Sequence, residues 1–482
     1  MDRLDKKLEE YGRLDYYPFH MPRHKRNPLS VAGDFPVRQD ITEIDGFDNL
    51  HHPVDLIKKA QEDAARVYGV KESFYSVNGS TGAILAAVSA AVRKNGHILM
   101  GRNCHKAVYH AAYLRELKTS YVYPHEDSEL GINGGISPGR VEMCLEENPD
   151  IEAVLITSPT YDGVVSDVKR IAEICHAREI PLIVDEAHGA HFRFSDYFPT
   201  SAAKLGADLV IHSLHKTLPS LTQTALLHRC SDRVDRDLLA RFMGIYQSSS
   251  PSYILMASMD ACLDKLERDG QQMFAEFTAN LEQTRKRLSK CQYIRLVDQK
   301  ADQDSEVFDV DRSKLLFSTV RSTLNGRMLS KILREEFHLE VEMEAEQYAL
   351  ALCSVGDTAE GFERLCAAIE EIDRRESLVY NEETCKKERF RHQELNQLMK
   401  ISQAMDGLCE KKTLEESIGR TSVEFAYLYP PGIPLVVPGE QITGLLIRQM
   451  KSYLEQGFDL QGMRDPSCET ICVLARDMRQ AV

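Results

Sequence analysis

A lysine set among small hydroxyl residues is the first group in this sequence with the makings of a reactive site. Residues 213–224 read SLHKTLPSLTQT, and Lys216 comes three positions after the end of the apolar run DLVIHS (208–213). A lysine in a loop is usually a solvated cation. An amine held in a dry site can instead attack a carbonyl carbon. Two other polar segments help to decide between these interpretations.

The first is SVNGSTGAILAA (76–87), where small polar residues link an apolar run to a helical stretch that is expected to begin near Gly82. The free N–H groups and the positive dipole end at the start of a helix suit a phosphate. Ser80 and Thr81 add hydroxyl donors. An ordinary helix cap, which Ser and Thr also favour, explains the same residues when the segment is taken alone.

The second is IVDEAHGAHF (183–192), in which Asp185 ends a run that is predicted to be a buried strand. A buried carboxylate needs a cation or several donors, or it serves as a cap. His188 and His191 raise the alternative of a metal site. Because an HxxH directly after a strand lacks the helical i, i+4 spacing of zinc ligands, we expect no metal here.

Apolar, β-rich runs alternate with helical stretches through the middle of the chain. A helix is predicted over VDLIKKAQEDAARVYGV (54–70), where Leu56, Ala60, Ala64 and Val67 share one stripe. The predicted strands are ESFYSV (72–77), HILMG (97–101), EAVLITS (152–158), PLIVDEA (181–187) and DLVIHSL (208–214). This alternation predicts a mostly parallel sheet covered on both faces, which binds ligands at the carboxyl ends of its strands.

Asp185 and Lys216 lie about one strand–helix–strand unit apart, which can bring both to adjacent strand ends. A phosphate site, a carboxylate and an amine together suggest pyridoxal phosphate. Lysine forms an imine with its aldehyde, and a carboxylate keeps the pyridine nitrogen protonated, so that the ring accepts electrons from a substrate carbon. Ser213 and His215 are placed to help bind the phosphate.

Composition narrows the class of protein. The 482 residues carry a net charge of −15 at pH 7, which argues against a nucleic-acid binder. No apolar run is long enough to cross a membrane, and the charged start predicts no signal peptide. Twelve cysteines without a CxxC pair predict free thiols in the cytoplasm. Cys468 and Cys472 lie four apart in a helix-like stretch, where packing is expected rather than metal binding.

Several motifs, in order along nearly the whole chain, resemble the ornithine/lysine/arginine decarboxylases, which are fold-type-I pyridoxal-phosphate enzymes. Besides SLHKTLPSLTQT, the matching segments are FHMPRHKRN (19–27), DITEIDGFDNLHHP (40–53), NGSTGA (78–83), GRNCHKAVYHA (101–111), SPTYDGVVSD (158–167), DEAHGAHF (185–192), SSSPSYILMASMD (248–260) and YPPGIPLVVPGE (429–440). The resemblance implies an α/β fold with a mostly parallel central sheet in a three-layer α/β/α domain, a smaller α+β C-terminal domain, and a homodimer with a shared active site.

The resemblance also implies residue roles. Lys216 matches the Schiff-base lysine, Asp185 the partner of the pyridine nitrogen, and His105 a histidine that stacks on the ring, with Ala187 under its opposite face. The implied phosphate contacts are Ser80, Thr81, Gly82, Ser213 and His215. His188 is the implied neighbour of the ring hydroxyl. Ser249 and Ser250 are expected to reach a phosphate across the dimer interface.

One departure from the family pattern stands near the start. The family reads PGHK there, whereas this chain reads Pro22-Arg23-His24-Lys25. Glycine serves tight or positive-φ backbone positions that arginine fills poorly. The departure puts the local loop and substrate access in doubt, and it leaves the expected cofactor residues intact.

The sequence indicates four regions: an N-terminal segment (1–53), a cofactor-binding major domain (54–290), a small α+β domain (291–375), and a C-terminal domain with a proline-rich loop (376–482). In the small domain, strands are predicted at KLLFSTV (314–320), LEVEME (339–344) and YALALCSV (348–355), after a long helix within 254–290. The charged stretch 373–400 is predicted to be a solvated helix or a linker.

The expected reaction is decarboxylation of a basic amino acid, with His105, His215 or Lys216 returning the proton to the substrate carbon. Arginine, giving agmatine, is favoured for two reasons. The length of the chain resembles the short form of the family, which includes biosynthetic arginine decarboxylases, and the segment EFAYLYPPGIP resembles those enzymes. Lysine and ornithine remain alternatives, as do an aminotransferase or aldolase of the same fold and a non-catalytic regulatory relative. The carboxylates proposed for the distal cation of the substrate are Asp40, Glu43, Glu424 and Glu440.

Overall fold

The computed structural model describes residues 3–14, 17, 20–23, 25, 35–125, 130–297, 307–381, 393–428 and 432–475. Several residues of the motifs FHMPRHKRN and YPPGIPLVVPGE, among them His24 and residues 429–431, lie outside these ranges. In the part of the chain that is described, no helix combines the length and the apolar character that a membrane crossing requires.

A seven-stranded sheet forms the centre of the molecule, in the order β1-β8-β7-β6-β4-β2-β3. Its strands are β1 (Glu72–Ser76), β2 (His97–Gly101), β3 (Lys118–Val122), β4 (Ile151–Thr157), β6 (Leu182–Asp185), β7 (Leu209–Ser213) and β8 (Ala225–Arg229), and the short β5 (Val164–Val165) lies outside it. β8 runs antiparallel to both of its neighbours, and the other pairings are parallel. The expected mostly parallel sheet is confirmed.

Helices cover both faces of this sheet. They are α1 (Leu4–Arg13), α2 (Leu56–Tyr68), α3 (Gly79–Ala91), α4 (Lys106–Leu114), α5 (Pro138–Glu147), α6 (Val168–His176), α7 (Leu214–Thr217), α8 (Arg236–Ile245) and α9 (Tyr253–Leu288). Residues of α3, α4 and α8 pack on one face with Leu155, Ile183 and Ile211. Residues of α5 and α6 pack on the other with Val154 and Val184. The strands supply both faces because successive side chains point to opposite sides.

The long α9 leads into a smaller α+β region. Its sheet has the order β12-β13-β11-β9, with β9 (Arg295–Leu296), β11 (Lys314–Ser318), β12 (Met343–Glu344) and β13 (Tyr348–Leu352), and β10 (Asp309–Val310) pairs with β5. The helices are α10 (Gly326–Phe337) and α11 (Ala359–Val379). β11 and β13 form where strands were predicted. β12 is only two residues long, at the end of LEVEME.

The C-terminal region has a core of its own, which includes Leu435, Ile447 and Val473. Its elements are α12 (Ile401–Met405), α13 (Gly444–Glu455), β14 (Cys409–Thr413), β15 (Ala426–Leu428), β16 (Pro434–Val436), β17 (Leu460–Gln461) and β18 (Thr470–Leu474). The helix-like interpretation of Cys468 and Cys472 was wrong, because Cys472 lies in β18 and Cys468 adopts a positive φ in the preceding turn. The four domain boundaries stay a prediction.

Candidate active site

A cavity of about 520 Å³ opens at the edge where the parallel strands end. Segments that follow β1, β2, β4, β6 and β7 all contribute to its wall. Most of the residues expected from the sequence line it: Ser80, Thr81, His105, Asp185, Ala187, His188, Ser213, His215 and Lys216. Gly82 lies just behind them, buried in α3. Residues far apart in the chain thus meet at one strand edge, as expected for ligand sites in such sheets.

The start of α3 forms a suitable phosphate site. The helix begins at Gly79, whose φ of +63° favours glycine, and the first-turn N–H groups have no acceptor within the helix. Ser80 Oγ lies 2.6 Å from Ser213 Oγ, so that two hydroxyls converge from different elements. A Cβ on Gly82 would stand 3.0 Å from Cβ of Asn78, which explains the small residue there.

Asp185 ends β6 and is 3% exposed. Its Oδ1 accepts a hydrogen bond of 3.2 Å from the backbone N–H of Ala187. Burial raises the pKa of this carboxyl, and the charge of Lys216 opposes the shift. A buried carboxylate of this kind is stabilised by a cationic N–H donor, and a protonated pyridine nitrogen is such a group.

Lys216 lies in α7, a single turn directly after β7. Its Nζ is 3.0 Å from Nε2 of His188. Burial lowers the pKa of the amine, while the charges of Asp185 and Glu342 oppose this shift. The lowered pKa increases the fraction of neutral amine, which is the nucleophilic form.

Two more histidines face the cavity. His105 is the N-cap of α4, where Nδ1 accepts a bond of 3.2 Å from the N–H of Ala107. Burial, and then the charge of Lys216, lower the pKa of His105 to about 4, so the ring is neutral at pH 7. Nδ1 of His215 lies 3.0 Å from the carbonyl oxygen of Thr224, and burial lowers the pKa of His215 as well.

The structure adds cavity residues to which the sequence analysis gave no role. Among them are Asn103, Thr157, Asp162 and Glu342. Two of them belong to the quoted motifs GRNCHKAVYHA and SPTYDGVVSD. Glu342 gave no signal, because it lies in an alternating run that was assigned to a strand. The buried side-chain oxygens Asn103 Oδ1 and Thr157 Oγ1 have no hydrogen-bond partner among the residues that the structure describes, so the wall offers polar atoms for a ligand.

The carboxylates expected to bind the distal cation of the substrate lie elsewhere. Glu440 is fully buried and forms an ion pair of 2.9 Å with Arg102. Glu424 accepts hydrogen bonds from the N–H groups of Arg464 and Cys472. Asp40 and Glu43 are half-buried and do not line the cavity. For Glu424 and Glu440 the expectation disagrees with the structure, because both carboxylates already have buried protein partners.

Three further residues singled out in the sequence lie at the surface. Ser249 and Ser250 are exposed in the segment before α9, and neither lines the cavity within the chain. Arg23 is also exposed. Of the two histidines weighed as metal ligands, His188 contacts Lys216, and Nε2 of His191 lies 3.2 Å from Oδ1 of Asp311.

The donor set fits pyridoxal phosphate. The start of α3 with Ser80 and Ser213 would hold its phosphate, Asp185 its pyridine nitrogen and Lys216 its aldehyde carbon. When bound, the group supplies an electron sink for a carbanion. The cavity also carries Asp162 and Glu342, which are acceptors suited to a cationic substrate.

Comparison with known proteins agrees with this chemistry. Residues 4–355 match the family model of the Orn/Lys/Arg decarboxylase major domain, and residues 383–462 match that of its C-terminal domain. The chain is 34% identical to an arginine decarboxylase of Bacillus subtilis, over 97% of this chain and 96% of that one. It is 31% identical to an arginine decarboxylase of Halalkalibacterium halodurans, over 95% and 94% of the two chains.

Solved structures share the fold. The lysine decarboxylase LdcF of Francisella novicida superposes with a TM-score of 0.82 at 19% identity, over 98% of this chain and 81% of that chain. The constitutive lysine decarboxylase of E. coli also gives a TM-score of 0.82 at 19% identity, over 98% and 82%. With the two family models matching most of its length, the chain belongs to the Orn/Lys/Arg decarboxylase family.

Proposed function

We propose that this protein decarboxylates L-arginine to agmatine and CO2 with pyridoxal phosphate bound at Lys216. The observation that carries the proposal is the convergence of Lys216, Asp185 and the start of α3 on one cavity. Two relatives that align over almost the whole chain, at 34% and 31% identity, are named arginine decarboxylases, whereas two lysine decarboxylases align at 25% and 22%.

Each cavity residue has a defined task in this reaction. Lys216 presents a buried amine for covalent attachment, and Asp185 holds a negative charge where a pyridine nitrogen needs one. The neutral ring of His105 offers a flat face that does not repel a protonated nitrogen heterocycle. No arginine lines the cavity among the described residues, so no guanidinium there clamps the carboxylate that must leave as neutral CO2.

The distal guanidinium of arginine needs acceptors, and the cavity supplies them. Glu342 lies in its wall and accepts a hydrogen bond from the hydroxyl of Tyr161. Asp162, the residue after Tyr161, is buried and accepts a hydrogen bond of 2.5 Å from the hydroxyl of Tyr348. Both side chains are held in place by tyrosines, which favours recognition of a planar donor group. We assign Glu342 and Asp162 to the substrate cation.

The direct test is CO2 release from arginine, lysine and ornithine in parallel, with the purified protein loaded with pyridoxal phosphate. We expect kcat/KM for arginine to exceed that for either other amino acid by at least about 100-fold, the range that a site built for a specific donor pattern achieves. Preference for lysine or ornithine would overturn the substrate assignment. Release of a keto acid or an aldehyde without CO2 would overturn the reaction class.

The attachment of the cofactor can be tested separately. Borohydride treatment of the loaded protein should fix a pyridoxyl group on Lys216, detectable by peptide mass analysis. Lys216→Ala should lose both this adduct and turnover, whereas Lys204→Ala, a change outside the cavity, should lose neither. A pyridoxyl group on another lysine in the wild-type protein would contradict the assignment.

We infer that the working unit is a homodimer, in which Ser249 and Ser250 of one chain approach the cofactor phosphate of the other. The exposure of both serines outside their own chain's cavity supports this. Sedimentation should give a dimer. Mixed dimers of Lys216→Ala with Ser249→Ala/Ser250→Ala should be more active than either parent, because one of their two sites is intact. A monomeric active enzyme would exclude the shared site.

We place the reaction in cytoplasmic polyamine formation, which fits the product and the free thiols of the described cysteines.

A further inference from the structure

Lys314 is a buried lysine directly behind the proposed active-site amine. It begins β11, and its side chain is 1% exposed, which is rare for lysine. Its Nζ lies 3.3 Å from Nδ1 of His188, and the other ring nitrogen, Nε2, lies 3.0 Å from Nζ of Lys216. One imidazole therefore bridges two amines.

The position of Lys314 is fixed by its surroundings. Gly163, with a φ of +97°, packs against the lysine stem, and a Cβ there would stand 2.7 Å from Cγ of Lys314. The ring of Tyr161 packs on His188 with a centroid distance of 4.6 Å. The amine therefore cannot swing out of the cavity wall without displacing the loop between β4 and β5.

Burial lowers the pKa of both amines, and the nearby charge of Asp311 opposes this shift at Lys314, so we place the positive charge of the pair on Lys314. Its Nζ is 3.9 Å from Oδ2 of Asp311, which is fully buried. Burial alone would raise the pKa of Asp311, but His191, Lys314 and Ser313 outweigh it and lower that pKa to about 2. A permanent carboxylate thus faces Lys314. In the part of the chain that the structure describes, Lys216 has no carboxylate oxygen within 4.0 Å.

The placement of the imidazole proton follows from hydrogen-bond chemistry. An ammonium group has donors and no acceptor, so Nδ1 of His188 must accept from Lys314. Burial holds the pKa of His188 well below its ordinary value, and a charged lysine beside the ring lowers it further, so the ring is neutral and carries one proton. That proton then sits on Nε2 and donates to Lys216, which must offer a lone pair.

We propose that Lys314 is a positioning residue, which fixes His188 in the tautomer protonated on Nε2 and thereby keeps Lys216 as the neutral, nucleophilic amine. What that amine then does rests on the proposed function; the state of the amine does not. Other titratable groups lie close to this bridge of Lys314, His188 and Lys216. They are Asp185 and Glu342 near Lys216, Asp162 near Lys314, and the neutral rings of His105 and His215. Cys353, also near Lys314, stays a thiol because burial raises its pKa.

The test measures how Lys216 titrates in the full chain freed of cofactor. Trace acetic anhydride acetylates neutral amines only, and mass analysis gives the rate at Lys216 relative to the exposed Lys169 as pH is varied. In Lys314→Met, His188 is free to accept a proton from Lys216. We expect the midpoint for Lys216 to rise by about one pH unit, a tenfold loss of neutral amine at a given pH. Lys331→Met, an exposed change on α10, should leave the midpoint unchanged.

Two further variants separate the tautomer from the charge. Lys314→Gln keeps an N–H donor and removes the charge. In this variant the midpoint for Lys216 should rise by less than about half of the rise seen in Lys314→Met. In a His188→Phe background, Lys314→Met should move the midpoint by less than about a third of that shift, because the bridge is gone.

Equal shifts in Lys314→Met and Lys314→Gln, or a shift that persists in full without His188, would overturn the proposal in favour of direct charge repulsion. If Lys314→Met does not fold, as judged by circular dichroism, Lys314→Gln and Lys314→Arg carry the comparison. Both keep a donor, so both should titrate near wild type. Because the measurement uses neither cofactor nor substrate, its failure is distinct from a failure of the decarboxylase assignment.

Discussion

Single side chains of the cavity are tuned chiefly by burial. Burial raises the pKa of Asp185 and lowers those of Lys216, His105 and His215, so the site favours a neutral amine and neutral imidazoles beside Asp185. This arrangement suits a cofactor that brings its own charges, a dianionic phosphate and a protonated ring. Under the proposed function, a protonated pyridine nitrogen would supply the cation that stabilises the buried Asp185 carboxylate.

Glu342 provides a residue-scale prediction. Glu342→Gln keeps the shape of the side chain and removes the charge expected to face the substrate guanidinium. We expect KM for arginine to rise by about tenfold with a smaller change in kcat, the loss of one charge-assisted hydrogen bond. Steady-state kinetics measures this. Glu340→Gln, two positions away and exposed, is the matched control. A KM unchanged in Glu342→Gln would remove Glu342 from the substrate site.

The departure at Arg23 gives a second prediction at this scale. Arg23→Gly should raise kcat/KM if arginine distorts a turn that the family builds with glycine. Because Arg23 is exposed, the substitution should leave thermal stability almost unchanged. An unaltered kcat/KM would show that the loop accepts either residue.

The site residues that follow a recognisable local pattern could be predicted from the sequence, whereas those that act only through distant contacts could not. Lys216, Asp185 and Ser80 each end or follow a predicted strand, and that local pattern is enough to place them at the strand edge. Lys314 and Glu342 lie in runs that predict strands and carry no mark of the cavity. Their position depends on how the smaller sheet docks on the larger one, which local patterns do not encode.

At the scale of elements, a buried polar chain links three strands behind the cavity. Glu186, next to Asp185, has Oε2 2.7 Å from Nε2 of His212. His212 Nδ1 lies 3.0 Å from Nε2 of His228, whose Nδ1 is 2.7 Å from Ser73 Oγ. The ring of Tyr68 packs against both histidines. This chain satisfies polar groups of β1, β7 and β8 at the antiparallel part of the central sheet.

The buried glutamate makes stability depend on pH. Burial raises the pKa of Glu186 to about 8, partly offset by bonds from Ser201 and Ala202, against an ordinary 4.5 in the unfolded chain. Between these values the folded state keeps a proton that the unfolded state has lost, so the free energy of unfolding falls as pH rises. Glu186→Gln removes this dependence.

The measurement compares urea unfolding of wild type and Glu186→Gln from pH 5 to pH 8. The stability of the variant relative to wild type should increase with pH, with a slope of at most about 1.4 kcal/mol per pH unit for one proton. Exposed Glu173→Gln on α6 should give a flat difference. A flat difference for Glu186→Gln would mean that the carboxyl is ionised in the folded state throughout.

Most of the predicted strands that are confirmed have apolar runs and are buried on both faces, as β2, β4 and β6 show, whereas β1 is confirmed although ESFYS is partly polar. β3 was missed because KTSYV is half polar, as befits the edge of the sheet. β8 was missed because only the single turn of α7 separates it from β7, so the strand–helix alternation used to find the other strands does not reveal it. The region of Cys472 was misassigned because TICVL has too few residues to distinguish a buried strand from a helix.

Considered as a whole, the molecule has a buried ion pair between its two family regions, which adds to the apolar packing of Ile401, Phe425 and Val437 on the major-domain core. Arg102, directly after β2, donates to both carboxylate oxygens of Glu440 at 2.9 and 3.1 Å and to the carbonyl oxygen of Pro434 at 2.8 Å. Glu440 also accepts a hydrogen bond of 2.8 Å from the N–H of Val437. The proline-rich segment is therefore attached to the central sheet beside the cavity.

Removing one partner of this pair should be costly. Arg102→Met leaves Glu440 buried without its cation, and we expect a loss of about 3–5 kcal/mol in the free energy of unfolding. The double variant Arg102→Met/Glu440→Leu should recover most of it. Arg93→Met breaks an exposed pair with Glu152 and should change little. A double variant no more stable than Arg102→Met would contradict this account.

The edge of the central sheet opposite the cavity supplies none of the proposed site residues. The site residues that the parallel strands supply lie at the carboxyl ends, whereas the turn at 177–180, between α6 and β6, lies at the opposite edge and exposes Glu179. Exposed turns of this kind accept insertions. A peptide tag or fluorophore introduced at Glu179 would thus hold the enzyme on a surface, or report on it, with its cavity facing the solution.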